Sequence, residues 1–443
     1  MKTRFGKITF LVAVLSVILG LTLCLSSCSA AFDFVDGLIS GKGQNEESQG
    51  GTLDDEVGKD DKIPEKDEDS EGDNTITDVE NPDKSEDDGA SDSGEIEFYP
   101  GQGSVDAENI SAKNRTLLST VIIVSYFGPS QSLGSGVIYD IDKETGDAYI
   151  ITNYHVVHNR QYGVCDSAKL YLYGMQYANY AINATFVGGS SEYEIAVLKV
   201  EGSEVLKNSY AMAAEFGDSE DVRVFDEVFA VGNPEGYGMA VTEGIISVDS
   251  ESLDMAGSYG TTIEIRVMRV SAAINNGNSG GGLYDANGKL IGIVVAKRIG
   301  ADIDNIGYAI PSNLAKNLVD NIIYYCDGST TTTVQRPLIG VTISAKAVGI
   351  VADEVTGEIV KAEKIEITEL SDTCIAKELL REGDVVNSIT VGGVTVAVTR
   401  LHHIIDHMLT ARVGTEVIMN ITRGGETFDV TFTVPESAFT SVK

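Results

Sequence analysis

Short apolar runs separated by polar or glycine-bearing breaks dominate the chain from Val121 to Val295. They begin with Val121-Ile122-Ile123-Val124, Gly136-Val137-Ile138-Tyr139 and Lys169-Leu170-Tyr171-Leu172-Tyr173. They continue through Ile195-Ala196-Val197-Leu198, Glu227-Val228-Phe229-Ala230-Val231, Ile263-Glu264-Ile265-Arg266-Val267 and Leu290-Ile291-Gly292-Ile293-Val294-Val295. Turn signals such as Ala286-Asn287-Gly288 separate several of them. Short strands at regular spacing, with no long helix between them, predict a mainly β barrel or sandwich. One helix stands out. After Pro311, the residues Leu314, Leu318, Val319, Ile322 and Ile323 recur at helical spacing, and Ser312 is expected to cap the helix. Thr330 to Thr333 read as a linker, and a second β-rich series starts at Arg336. It carries Leu338-Ile339-Gly340-Val341, then Gly383-Asp384, an apolar-faced helix near residues 400–409 and closing strands around 414–421 and 428–432.

Charge and composition set the N-terminal part aside. Lys2, Arg4 and Lys7 precede an apolar run from Ile8 that ends in Leu25-Ser26-Ser27-Cys28. A basic head, an apolar stretch and small residues before a break predict a secretory signal. Its last four residues resemble a bacterial lipobox, in which Cys28 is lipidated and becomes the mature N-terminus. The alternative is an uncleaved anchor, because the run approaches the length of a membrane span. Either form tethers the protein to a membrane with the rest of the chain outside the cytoplasm. Between Gln44 and Glu97, 22 Asp/Glu face four Lys/Arg with no aromatic residue, a net −18 of the chain's −35. Too little apolar surface exists there to offset chain entropy, so residues 29–104 are expected to be a disordered acidic linker. The acidic balance also argues against nucleic acid as a partner. Calcium binding is not expected, since the acid run lacks EF-hand loop spacing.

The candidate chemistry centres on Asn276-Gly277-Asn278-Ser279-Gly280-Gly281-Gly282. Glycines on both sides let a tight turn present the Ser279 hydroxyl. They also let the N–H groups of Gly277 and Ser279 point into one small space, where they can hydrogen-bond an oxyanion. Alone, the pattern serves equally as a glycine-rich hairpin. A serine nucleophile needs a base, and His155 follows the apolar stretch Tyr149-Ile150-Ile151-Thr152, where packing can fix its position. His158, beside Asn159 and Arg160, is expected to be an exposed loop residue.

Five segments then occur in one order: Ile151-Thr152-Asn153-Tyr154-His155-Val156-Val157, Val231-Gly232-Asn233-Pro234, Val241-Thr242-Glu243-Gly244-Ile245-Ile246-Ser247, Ala273-Ile274-Asn275-Asn276-Gly277-Asn278-Ser279-Gly280-Gly281 and Gly307-Tyr308-Ala309-Ile310-Pro311-Ser312. Together they resemble the HtrA/Deg (DegP/DegS-like) serine proteases. The resemblance covers about residues 105–330 and continues more weakly to about 435. It implies a two-barrel chymotrypsin-like protease domain over residues 105–330 and one β-rich PDZ domain over residues 335–436, behind a signal over residues 1–28. It further implies Ser279 as nucleophile, His155 as base and the N–H groups of Gly277 and Ser279 as oxyanion hole. The family's aspartate before an Ile/Leu-Ala-Val-Leu strand is replaced here by Glu194, in Tyr193-Glu194-Ile195-Ala196-Val197-Leu198. A carboxylate at that point accepts the histidine's Nδ1–H and fixes its tautomer. The extra methylene of glutamate would displace His155 unless the strand retreats. Glu192 is the rival carboxylate, two residues away on the same side of the ribbon.

By the same resemblance, Ala273 and Ile274 line the primary specificity pocket. Their lack of charge implies a small or medium aliphatic residue before the scissile bond, with Ile293-Val294-Val295 as the opposite wall. Ser271 stands where the family has aspartate. Leu338, Ile339 and Gly340 match a PDZ loop whose N–H groups receive a peptide's C-terminal carboxylate while the peptide adds as a strand. His402, His403 and His407 lie on the following helix, with His403 and His407 four apart on one face, but two histidines without a third ligand are a weak metal motif. They are expected to border the peptide groove, and neither a metal nor an organic cofactor is expected. Cys165, Cys326 and Cys374 form no disulfide framework and are expected to be buried thiols. The partners implied are unfolded or exposed polypeptides, peptide C-termini and, by family analogy, two further copies of the chain in a trimer. The alternative reading is a catalytically impaired scaffold or chaperone-like peptide binder, favoured only by the glutamate at 194.

Overall fold

Strands that bury most of their apolar side chains close on themselves in two successive barrels. The computed structural model describes residues 110–175, 178–295, 306–328, 332–352 and 357–442; the signal, Cys28 and the acidic segment lie outside the described residues. Helix α1 (Ala112–Leu118) leads into β1 (Thr120–Phe127), β2 (Ser130–Asp142) and β3 (Asp147–Thr152). A single helical turn, α2 (Tyr154–Val157), and a small hairpin of β4 (His158–Asn159) and β5 (Gly163–Val164) come next. Then β6 (Ser167–Tyr171), β7 (Ile182–Ser190) and β8 (Ile195–Val200) complete a closed barrel in the order β1-β2-β3-β8-β7-β6. Ile123, Ile138, Ile150, Leu170 and Leu198 fill it.

After α3 (Glu204–Lys207), a second closed barrel forms in the order β10-β11-β14-β13-β12-β9. Its strands are β9 (Glu227–Gly232), β10 (Ala240–Ala256), β11 (Thr262–Val270), β12 (Gly282–Asp285), β13 (Leu290–Val295) and β14 (Gly307–Pro311). A shared apolar layer joins the barrels, with Val137, Ile151 and Ile195 from the first meeting Val231, Tyr284 and Ile293 from the second. The buried Tyr284 hydroxyl lies 3.1 Å from Ser119 Oγ and 2.9 Å from Thr120 Oγ1, so its polar tip is satisfied across the seam. Helix α4 (Ser312–Tyr325) buries Leu314, Leu318, Val319 and Ile322 against this layer. Ser312 does not cap it. Pro311 holds the cap position and the Ser312 hydroxyl donates to Gly217 O at 2.9 Å instead.

The remaining chain pairs β15 (Val334–Pro337) with the terminal β22 (Phe439–Val442). Between them lie β16 (Val341–Ala352), β17 (Ile359–Leu370), β18 (Val385–Val391), β19 (Val394–Ala397), helix α5 (Leu401–Met408), β20 (Glu416–Arg423) and β21 (Glu426–Thr433). The sheet runs β16-β17-β18-β20-β21, with β16 at an edge and β19 paired to β18. Polar contacts join this unit to the barrels. Asn321 of α4 donates to Gln335 O at 2.9 Å and Leu409 O at 3.0 Å, Arg400 pairs with Asp249 at 3.0 Å, and Arg266 pairs with Asp406.

Candidate active site

The end of β3 and the turn before β8 bring two titratable side chains together. Asn153, fully buried after β3, donates through Nδ2 to Glu194 O at 3.0 Å and so ties the two segments. His155 follows in α2, and its Nδ1 lies 2.9 Å from Glu194 Oε2. The His155 backbone N–H donates to the same oxygen at 3.4 Å. Glu194 is 0% exposed and its backbone sits at φ +53° in the turn before Ile195, rather than in the strand itself. This left-handed conformation is uncommon for a glutamate. It answers the question of the extra methylene: the backbone turns aside and the longer side chain reaches back to the imidazole. Glu192 is exposed.

Ser258, at the tip of the β10–β11 hairpin, donates to Glu194 Oε1 at 3.4 Å, so both carboxylate oxygens have protein partners. Neighbouring Tyr259 meets Tyr154 hydroxyl to hydroxyl at 2.9 Å. His158 is not an exposed loop residue. It is 7% exposed, stacks on Tyr154 at 5.0 Å between centroids and contacts Tyr259 at 4.7 Å. Burial there holds its pKa below the usual histidine value, although the charge of Glu194 acts in the opposite sense.

The serine loop is pressed against the same segments. Gly280 has φ +82°, and a Cβ there would lie 2.3 Å from both Ser135 O and Thr152 Oγ1 and 3.0 Å from Asn153 N. Only glycine allows this approach, which sets Ser279 beside the residues that lead into His155. Ser279 O accepts from Ser135 N at 2.8 Å. The Ser135 hydroxyl donates to Gly277 O at 2.7 Å and accepts from Asn233 N at 2.9 Å, stapling the serine loop to Val231-Gly232-Asn233-Pro234. Gly277 lies at φ +92°, and its N–H has no hydrogen-bond partner among the described residues. No motif singled out Ser135 or Ser258; each acts through contacts between segments far apart in sequence.

Ala273 is exposed beside this loop, with its carbonyl held by Thr242 Oγ1 at 2.9 Å. Ile274 is half-buried and packs on the second-barrel core near Gly307. Ile293, Val294 and Val295 are at most 2% exposed, so their side chains belong to the barrel cores and do not form an accessible pocket wall. Ser271 accepts from Ile245 N through Oγ at 3.0 Å, which ties β10 to the segment entering the serine loop.

In the C-terminal unit, Leu338 is half-exposed, Ile339 is buried and Gly340 has φ +77°. Leu338 N–H donates to Ala438 O at 2.7 Å, whereas the N–H groups of Ile339 and Gly340 have no partner among the described residues. They precede the edge strand β16, beside which α5 packs. The α5 histidines do not share a face toward that edge. His407 Nε2 lies 2.9 Å from Val394 O, while His402 and His403 turn to the second barrel. Cys165 and Cys374 are buried, but Cys326, just past α4, is exposed, because the helix ends there at the surface.

A family profile for the trypsin-like peptidase domain matches residues 134–293, which include His155, Glu194 and Ser279. Serine protease Do-like HtrA of Bacillus subtilis is 39% identical over 212 residues, 47% of this chain and 42% of the relative. Periplasmic serine endoprotease DegP of Escherichia coli is 33% identical over 270 residues, 58% of this chain and 48% of the relative. The chain carries a trypsin-like peptidase domain similar to that of HtrA/Deg serine proteases. It spans under half the length of these HtrA and DegP relatives. Among solved structures, the HtrA-type protease AlgW with a tripeptide aligns at a TM-score of 0.49 with 27% identity, covering 73% of this chain and 95% of that one. Within the matched residues, Glu194 stands where the resemblance to HtrA/Deg proteases implies aspartate.

Proposed function

We propose that this protein is an ATP-independent serine endopeptidase, tethered to a bacterial membrane and working outside the cytoplasm on unfolded or exposed polypeptides. The observation that carries the proposal is the 2.9 Å contact of His155 Nδ1 with the fully buried Glu194, beside the serine loop. In this reading Glu194 accepts Nδ1–H and leaves Nε2 free to take the Ser279 proton. Ser279 Oγ attacks the scissile carbonyl, and the N–H groups of Gly277 and Ser279 hydrogen-bond the oxyanion. His155 then gives its proton to the departing amine, and water releases the acyl group by the same steps. Ala273 and Ile274 carry no charge, which supports cleavage after small or medium aliphatic residues.

The C-terminal unit acts as a PDZ domain. The unpartnered N–H groups of Ile339 and Gly340 support capture of a peptide's terminal carboxylate, with Leu338 beside them and the peptide as an added strand on β16. Lipidation at Cys28 supplies the tether, and assembly is a homotrimer. The test is digestion of a permanently unfolded protein by the full chain, with product ends read by mass spectrometry. Cleavage after Val, Ala or Ile that disappears in Ser279→Ala supports the proposal; an intact substrate, with or without C-terminal peptides added, contradicts it and favours a peptide-binding scaffold.

A further inference from the structure

Glu220 projects from the loop ahead of β9, on the protease side, toward two adjacent histidines of α5. Its Oε2 lies 3.3 Å from His402 Nε2 and 3.0 Å from His403 Nε2, and the three ligand atoms all fall within 4.8 Å of one another. Neighbouring residues on a helix ordinarily point in different directions. Here both rings turn their Nε2 to one oxygen, edge to face with centroids 4.7 Å apart. Bonds of about 2.0–2.1 Å in a tetrahedron place ligand atoms roughly 3.3 Å apart, so the two nitrogen-to-oxygen spacings already suit such an ion.

The protonation pattern points the same way. His403 Nδ1 lies 2.8 Å from Ala397 O and 3.3 Å from Thr399 N. The closer carbonyl requires an N–H on Nδ1, since two acceptors at that distance would repel. With Nδ1–H on that carbonyl, the neutral form of the His403 ring turns its Nε2 lone pair toward a carboxylate oxygen 3.0 Å away. A cation relieves that opposition. The Nδ1–H to carbonyl bond is also the outer contact that orients metal-binding histidines. His402 is held below the usual histidine pKa by burial, which favours the neutral ring a metal requires. For Glu220, burial opposes ionisation, but its surroundings, the Arg266 guanidinium among them, hold its carboxyl below the usual carboxylate range. Arg266 opposes an ion, at 3.6 Å from Glu220 Oε1, and it also pairs with Asp406.

We propose that Glu220, His402 and His403 form a divalent transition-metal site, suited to zinc, that pins α5 of the C-terminal unit to the second protease barrel. Two imidazoles and one carboxylate are borderline ligands of the kind zinc takes, with a fourth position left for water. The ion bridges residues that no single unit contains, so it acts as a staple between them.

The test is titration of the full chain with Co²⁺, followed by displacement with Zn²⁺, neither of which depends on catalysis. The expected result is one equivalent of Co²⁺ giving the strong visible absorption of a four- or five-coordinate site, bleached by Zn²⁺. Glu220→Gln and His403→Gln each weaken binding at least tenfold, while His407→Gln leaves it unchanged. Weak octahedral binding along the acidic segment gives only faint bands and is insensitive to all three changes. Cooperative thermal unfolding of each variant shows that it is folded. Absence of the strong bands in the folded wild-type chain overturns the proposal, as does their persistence in the folded variant lacking Glu220, His402 and His403 together.

Discussion

Glu194 sets its carboxylate 2.9 Å from His155 Nδ1 from a backbone position that the strand pattern did not reveal. The types of residue around Ser279 and His155 were legible because the backbone forces them: a Cβ at Gly280 would collide with Ser135 O and Thr152 Oγ1. The left-handed turn at Glu194, the Ser258 contact and the Ser135 staple were not legible, since each depends on segments that meet only after folding. Glu194→Gln keeps the shape but removes the charge and permits the wrong tautomer. The expected loss in kcat is about 10⁴-fold with KM little changed, measured on a peptide substrate. Ser135→Ala leaves Gly277 O and Asn233 N without their shared partner. It should cost about 1–3 kcal/mol in denaturant unfolding and lower activity by loosening the serine loop.

Among the elements, the seam between the barrels decides whether the site is assembled, because His155 and Glu194 belong to the first barrel and Ser279 to the second. Short apolar runs set apart by turn residues made most barrel strands readable from sequence, and α4 was readable from its apolar spacing. Closure into two barrels was not readable from spacing alone and rested on resemblance to a family. Tyr284 spans the seam through Ser119 and Thr120. Tyr284→Phe retains the ring and loses the buried hydroxyl, so urea unfolding should show destabilisation of about 1 kcal/mol with an unchanged m-value. A neutral result would mean that the seam is held by apolar packing alone. The exposed appearance of His158 in the sequence misled for a related reason: polar neighbours in the chain conceal an aromatic stack built partly from the distant Tyr259.

Across the whole molecule, the protease and C-terminal units meet at a charged interface that titrates. Glu220 and Arg266 face it from the barrel, His402, His403 and Asp406 from α5, and Arg400 meets Asp249 nearby. Burial lowers the His402 pKa, so its contribution is present above about pH 6.5 and is lost as pH falls. The Glu220 pKa is also depressed despite burial, so its contribution is lost further down, below about pH 4.3. Asp406, raised by burial, acts in the opposite sense at acid pH. With a chelator present, α5 amides should exchange hydrogen faster at pH 5.5 than at pH 7.5, while core amides of the first barrel change little. Equal protection at both pH values would remove His402 from the contact. None of this was visible in the sequence, where Glu220 and the two histidines are about 180 residues apart.

Labelling of the full chain with a fluorophosphonate probe asks whether Ser279, His155 and Glu194 work as a triad. Labelling is expected to vanish in Ser279→Ala and to fall steeply in Glu194→Ala. Labelling that needs Ser279 but is indifferent to Glu194 would contradict the triad, and no labelling of the folded wild-type chain would contradict the enzyme.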